Sequence, residues 1–411
     1  MSRSDARIPC LVARALPLAV AVTLAGCAAR AATAPHTKPE PKPAAKVAAA
    51  TVHPAPKHEV KEAVPAPASA PAAPAPAPVI AASAMSPIAF TSEPWLNETA
   101  TAEIEGEKIS TANYRLFHTL SGASLRKMMP AFLETSLAHY STALITLPPP
   151  GKPLETYLFG SRDEWSDYTR RRMGREANTY LALGRGGYTI DGTSVLFDLG
   201  RFDTLILAAH EGWHQYSQTI FREGLPLWAD EGLATWMEGH RWARDADRPT
   251  FNPWRNFERF GELREAVRDQ ELIPLEELLD GVPQGFLKDG TSRLLTYYAQ
   301  VWALIHFLVE GEGGKYRAGL ERLVDDAVNG RVSARVAEVA GMPRRRIVPA
   351  SAGRAVFAVY FGTDLDRIGA EYDAFVWRIT ARGAGDCIWK GESPLTLPPP
   401  APPTKPLRKA E

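Results

Sequence analysis

Residues 209–215 read Ala209-His210-Glu211-Gly212-Trp213-His214-Gln215. They contain H-E-x-x-H, set in a run of helical character from Phe202 to Phe221. Residues four apart share one face of a helix, so His210 and His214 can turn two imidazoles toward one metal ion. Glu211 lies one residue round from His210. It would sit beside the ion rather than on it, within reach of a water held there. Two imidazole ligands with a carboxylate base alongside is the arrangement that a zinc-dependent hydrolase needs.

Downstream, Gly224-Leu225-Pro226 breaks the helix, and Pro226 suits the first turn of the next one. That second helix reads Leu227-Trp228-Ala229-Asp230-Glu231-Gly232-Leu233-Ala234-Thr235-Trp236-Met237-Glu238. An acidic residue on it can complete a set of two His and one carboxylate, and three protein ligands leave a fourth position for water.

H-E-x-x-H followed by W-x-x-E-G-L-A resembles the gluzincin metallopeptidases and, more closely, the peptidase-MA-like domains of bacterial proteins. The likeness spans roughly residues 114–380 and is strongest at 209–238 and 297–304. It implies a zincin-like α+β fold, with a small mixed β-sheet, the H-E-x-x-H helix and a mostly helical C-terminal half. It implies one Zn2+ per chain on His210, His214 and Glu231, with Glu211 as general base. Asp230, Glu223 and His240 are the alternatives for the third ligand. Tyr298 begins a Y-x-Q stretch resembling the Y-x-K-G region where gluzincin aminopeptidases place an oxyanion-stabilising Tyr, although Gln300 replaces the Lys. Tyr297 is the alternative donor, and Tyr298, Val301, Trp302 and Ile305 also make a good core stripe. Other zincin patterns do not fit. The metzincin extension needs Gly and His where Ser217 and Ile220 stand. The G-x-M-E-N motif of related aminopeptidases is missing; its nearest counterpart, Gly186-Gly187-Tyr188-Thr189-Ile190, has no Glu.

The first residues point to export. Arg3, Arg7 and Arg14 precede an apolar run from Ala15 to Ala25 that ends in Leu24-Ala25-Gly26-Cys27. A basic start, a short apolar core and small residues make a secretory signal, too short to span a bilayer as a helix. L-A-G-C resembles the lipobox of bacterial lipoproteins, which implies a signal peptide over 1–27 and acylation of Cys27. Ala28, in place of an Asp, implies the outer membrane, facing periplasm or surface, over the inner. The other two cysteines, Cys10 and Cys387, leave no pair for a disulfide in the mature body and no C-x-x-C for a metal.

Residues 28–88 are rich in Pro, Ala and Lys, too poor in large apolar side chains to fold, and expected to form a semi-extended linker. Residues 1–88 carry 9 Lys+Arg against 4 Asp+Glu, a net +5, which leaves −5 on the remainder. An acidic body in a neutral chain argues against nucleic acid as a partner.

The body, 89–392, has the length of one large domain or two intimate ones, and is expected to form a single zincin-like domain by the resemblance. Strands are expected at Tyr114–Thr119 and Leu154–Phe159, and a helix over Ser124–Thr142 that Pro130 either kinks or begins. Asp191-Gly192 predicts a hairpin turn leading into the metal helix. By resemblance, one strand of that hairpin is the sheet edge that receives a substrate backbone. Asn252-Pro253 is expected to open a helix reaching Arg268. Further helices are expected at Trp165–Met173, Ser292–Glu310, Tyr316–Asn329, Ala334–Ala340, Ala355–Phe361 and Leu365–Thr380. Residues 393–411, again proline-rich, are expected to form a free tail. The activity implied is hydrolysis of peptide bonds in the cell envelope by a lipid-anchored enzyme, with a peptide or protein substrate and the membrane as partners. The alternative is a non-catalytic envelope-binding or assembly lipoprotein that keeps the zincin shell.

Overall fold

A computed structural model of the chain describes residues 88–99, 103–182, 186–341, 343 and 349–409. The expected signal peptide, Cys27 and all of the expected linker but Ile88 lie outside them. The architecture is α+β, with a six-stranded mixed sheet followed by a helical half.

The first part of the chain forms β1 (Thr91–Glu98), β2 (Glu103–Ser110), β3 (Tyr114–His118), α1 (Ala123–Tyr140), β4 (Leu154–Phe159), α2 (Arg162–Met173), α3 (Ala177–Leu181), β5 (Tyr188–Ile190) and β6 (Thr193–Phe197). The sheet order is β1-β2-β3-β4-β6-β5. The β3–β4 and β4–β6 pairs are parallel and the others antiparallel. β3, β4 and β6 alternate or run apolar and are buried. β1 is largely exposed and β2 mostly half-buried, and the two are held by cross-strand partners such as Glu93 and Lys108, whose side chains meet at 2.6 Å. Pro94 is tolerated in β1 because that strand lies at the edge. Neither β1 nor β2 has an apolar alternation to announce it, and neither was expected.

Asp191 and Gly192 both take positive φ (51° and 71°), which closes the expected two-residue hairpin. β5 is therefore the last strand of the sheet, and the chain passes from β6 into α4 (Arg201–Ile220) and α5 (Leu227–Met237). Then come β7 (His240–Arg241), β8 (Thr250–Phe251), α6 (Phe257–Asp269), α7 (Leu275–Asp280), α8 (Pro283–Lys288), α9 (Thr291–Glu310), α10 (Arg317–Asn329), α11 (Val332–Ala340), α12 (Gly353–Phe361), α13 (Leu365–Ile379) and α14 (Ala384–Lys390).

α4 and α9 are buried almost all round, as helices enclosed by other elements must be. α1 packs on α4, and α5 packs against both α4 and α9. Two glycines permit these approaches. A Cβ on Gly212 would lie 2.7 Å from the Tyr140 hydroxyl, which donates to the Ala209 carbonyl. A Cβ on Gly232 would lie 2.8 Å from Ile305 Cγ1 and 3.0 Å from the Val301 carbonyl. The Gly of H-E-x-x-H and the Gly of E-G-L-A are thus packing devices that seat α1 and α9 directly against the two helices of interest.

Of the two readings of Pro130, the structure has the one that leaves it inside α1 rather than in its first turn. Two expectations are corrected. Asn252-Pro253 opens no helix: Asn252 Oδ1 accepts from the Trp254 amide in a local turn, and Asn256 caps α6 by accepting from the Arg259 amide. The stretch after Ser393 is not free. Trp377 Nε1 donates to the Ala401 carbonyl at 2.8 Å, Arg408 pairs with Asp373 at 2.7 Å, and Glu271 and Arg408 form a β-bridge. Beyond a short turn in which the Ser393 and Pro394 carbonyls accept from Thr396 and Leu397, extended proline-rich chain makes no hydrogen bonds to itself, which leaves its carbonyls open to such donors, while Leu395, Leu397 and Leu407 pack on the core.

Candidate metal centre

His210 and His214 come from the middle of α4, and Glu231 from the first turns of α5 after the break at Pro226. Pro226 sits just ahead of α5 with extended backbone (φ −62°, ψ 148°) and is not part of its first turn. The three side chains converge. His210 Nε2 and His214 Nε2 are 3.3 Å apart, and Glu231 Oε2 lies 3.4 Å from the first and 3.5 Å from the second. Their exposure is 0–1%. Neither Glu231 oxygen has a hydrogen-bond donor in line with it. A buried carboxylate without donors, facing two ring nitrogens, fits a cation at the centre of the triangle. Together these residues could hold a metal ion.

A second ring of groups fixes the imidazoles. Glu238 Oε1 accepts from His210 Nδ1 at 2.8 Å, which turns the Nε2 lone pair toward the triangle. Glu238 is itself clamped by Arg259, whose Nη2 and Nε lie 3.0 and 3.2 Å from its oxygens, and by Asn256 Nδ2 at 2.7 Å. Asp230 Oδ2 lies 3.3 Å from His214 Nδ1, and its other oxygen accepts from Trp213 Nε1 at 3.2 Å.

The electrostatics follow from that crowding. Burial works against charge on His210 and His214. Glu231 and Glu238 around the first, and Asp230 and Glu231 around the second, overcome it and raise both imidazoles above their ordinary value. Burial would raise Glu231, but the two imidazoles bring it down to about 2. Burial raises Glu211, with His214, His210 and Thr189 pulling the other way. The cluster attracts positive charge, whether protons or a metal cation.

No protein-family model matches this chain, and no curated protein matches it. The site therefore rests on its own geometry.

Each residue singled out in the sequence has a definite place. Glu211 is fully buried beside the triangle but outside it: Thr189 Oγ1 donates to its Oε2 at 2.8 Å, and its Oε1 has no donor. Tyr298 of α9 presents its ring edge to His210 at 6.1 Å, with the Arg259 guanidinium 5.3 Å from the ring centre. Burial raises the neighbouring Tyr297 hydroxyl well above its ordinary range, helped by the charges of Glu231 and Asp230, and that hydroxyl has no hydrogen-bond partner. Gln300 serves the fold, gripping both the amide and the carbonyl of Ile273.

The three alternative ligands fall away. Asp230 supports His214. Glu223 accepts from the amide and hydroxyl of Ser333. His240 stays outside the triangle, packs against Phe132 and Phe251, and its Nδ1 meets the Glu238 carbonyl.

Five contributors escaped the sequence reading: Glu238, Arg259, Asn256, Thr189 and Ser194, whose hydroxyl lies 2.9 Å from that of Thr189. Glu238 follows Glu231 by seven residues, about two helical turns, so it falls on the same face, and that spacing was a usable signal. Thr189 and Ser194 are polar residues in strands otherwise packed into the core, where a hydroxyl needs a partner. Arg259 left no local mark, because its partner lies 21 residues away.

Proposed function

We propose that the chain is a zinc-dependent metallopeptidase of gluzincin type, exported and lipid-anchored through Cys27, acting on peptide bonds in the cell envelope. The observation that supports it most is the triangle of ligand atoms. Donors at a zinc bond length of about 2.05 Å in a tetrahedron stand about 3.35 Å apart, and the three edges here are 3.3, 3.4 and 3.5 Å. Two imidazoles with one carboxylate suit zinc over calcium or magnesium, which take oxygen ligands. When bound, zinc would polarise a carbonyl and acidify a water.

The remaining work falls to the protein. Glu211 Oε1, buried and without a donor, is the acceptor for the proton of the attacking water, and the carboxylic acid so formed can return that proton to the leaving amine. The raised affinity of Glu211 for protons suits both halves of the task. Tyr298, with Tyr297 as the alternative, donates toward the oxygen on which charge develops. β5, at the edge of the sheet beside α4, is the rail for an extended peptide.

The burial of every ligand favours a second reading, in which the ion only staples α4 to α5 within a binding protein, since closed sites are the structural ones. Glu211→Gln separates the two. In a peptidase it keeps zinc and fold and loses hydrolysis of a peptide library by several orders of magnitude. A wild-type protein that cleaves nothing, with Glu211→Gln fully able to replace it in cells, would establish the staple. Cys27→Ser tests the anchor: lipid labelling and membrane attachment are both expected to disappear.

A further inference from the structure

Thr189 and Ser194 face each other across the β5–β6 hairpin, and both side chains are buried. Ser194 Oγ lies 2.9 Å from Thr189 Oγ1 and 3.3 Å from the Glu211 carbonyl. Thr189 Oγ1 lies 2.8 Å from Glu211 Oε2 and 3.1 Å from the Glu211 carbonyl. Each hydroxyl has one hydrogen to give. The ionised carboxylate is the strongest acceptor within reach, so Thr189 gives its hydrogen to Oε2, and Ser194 can give its own to Thr189. The result is a relay from Ser194 through Thr189 to one oxygen of Glu211.

What this relay prevents is as important as what it holds. Glu211 follows His210 in sequence, and its carboxylate feels the charges of His214, His210 and Glu231. Yet among the described residues only His210, His214 and Glu231 bring their ligand atoms within 4.8 Å of one another. A buried carboxylate on the residue next to a ligand could supply a fourth donor to a bound dication, and with it the coordination shell would be filled by protein. We propose that Thr189, backed by Ser194, is a positioning residue that holds Glu211 out of the metal's ligand set, so that the ion keeps three protein ligands and Glu211 remains a base. This rests on the metal-site reading above.

Thr189→Val keeps the β-branched shape and removes the donor. Glu211 is then free to turn onto the ion. Zinc affinity of the full chain is measured by competition with a chromophoric chelator, for wild type, Thr189→Val, Thr189→Ser, Glu211→Gln and Thr189→Val/Glu211→Gln. The expected result is zinc binding about ten-fold tighter in Thr189→Val, the scale on which groups around a metal site shift affinity. Thr189→Ser returns it to the wild-type value, and the gain vanishes in the Glu211→Gln background. If Thr189→Val does not fold, Thr189→Ala removes the same donor and carries the comparison. Wild-type protein that binds zinc while Thr189→Val binds it equally or more weakly overturns the role of Thr189 alone. So does a gain that persists without the Glu211 carboxylate. Wild-type protein that binds no zinc overturns the metal-site reading and this proposal with it.

Discussion

Glu238→Ala is expected to damage two properties that the wild type joins in one side chain. The first is stability. Arg259 is fully buried, and Glu238 is its nearest anion, at 3.0 and 3.2 Å. Stripping one partner from a buried ion pair costs about 3–5 kcal/mol. Glu262, 3.5 Å from the same guanidinium, is pushed up to about 8 by burial, against the pull of Arg259 and with the charges of Glu258 and Glu238 adding to it. Loss of Glu238 eases that and lets Glu262 ionise beside Arg259, which puts the expectation near the lower bound. A loss of about 3 kcal/mol lowers the melting temperature of a body of roughly 300 residues by about 5 °C. The second property is metal affinity. Without Glu238 the His210 ring loses the acceptor that fixes its tautomer and orientation, and zinc binding weakens about 10–100-fold. The double variant Glu238→Leu/Arg259→Met separates the two, because replacing both members of a buried pair by apolar side chains is close to neutral for stability. It is expected to melt near the wild type and still bind zinc poorly. Thermal unfolding in the presence of chelator reads the first property, and zinc competition reads the second. A folded Glu238→Ala protein with zinc affinity within about two-fold of wild type would refute the assignment of Glu238 to His210.

Gly232→Ala drives a methyl group into Ile305 and the Val301 carbonyl, so it is expected to cost about 1–3 kcal/mol in urea unfolding; an unchanged midpoint would mean that α5 and α9 are not in contact. Zinc affinity is expected to fall with falling pH. Both imidazoles have raised proton affinity, so protons still compete with the metal above pH 6.5, and calorimetry in buffers of different ionisation heat is expected to show proton release at neutral pH. No release would contradict the raised imidazoles. Asp326 accepts from Arg331 Nε at 2.7 Å, Arg335 Nη2 at 3.2 Å and Tyr360 at 2.8 Å. Burial would raise this carboxyl, but Arg335, Arg331 and Tyr360 lower it instead. Its contribution is therefore complete above the unfolded-state value and lost as pH falls through the folded one. Asp326→Asn is expected to cost about 2–3 kcal/mol at neutral pH, with the gap to wild type narrowing in acid. A gap that does not narrow would assign the loss to packing.

The elements with a strong internal period were legible. The run around H-E-x-x-H, the apolar stretch 292–310 and the Asp191-Gly192 hairpin carry their signals within a few residues, and the structure has α4, α9 and the β5–β6 pair there. What escaped was decided at a distance. β1 and β2 are strands because they find each other and β3, although their faces are mostly wet. Asn252 has the side chain of a helix cap but spends it on the Trp254 amide and, through Nδ2, on the Gly391 carbonyl. The pairing of His210 with His214 was legible because they lie one turn apart, and a helix break that returns the chain close by pointed to a third, acidic ligand; the choice of Glu231 among the candidates came from the family resemblance. The groups that hold them, Arg259 and Thr189 above all, arrive from α6 and β5, and no local pattern joins those segments to the motif.

The enclosure of the ligands bears on how quickly an ion could leave. With the ligand residues at 0–1% exposure, a chelator, like a substrate, has no open path to a bound ion while the protein keeps this form. Release then waits for a local opening of α4 against α5, a step whose frequency belongs to the protein. Once a chelator is abundant enough to capture every ion that such an opening frees, adding more of it removes zinc no faster. Warmth or mild denaturant, which make openings more frequent, do speed the loss. The lifetime of the bound ion becomes a measure of how often these two helices part.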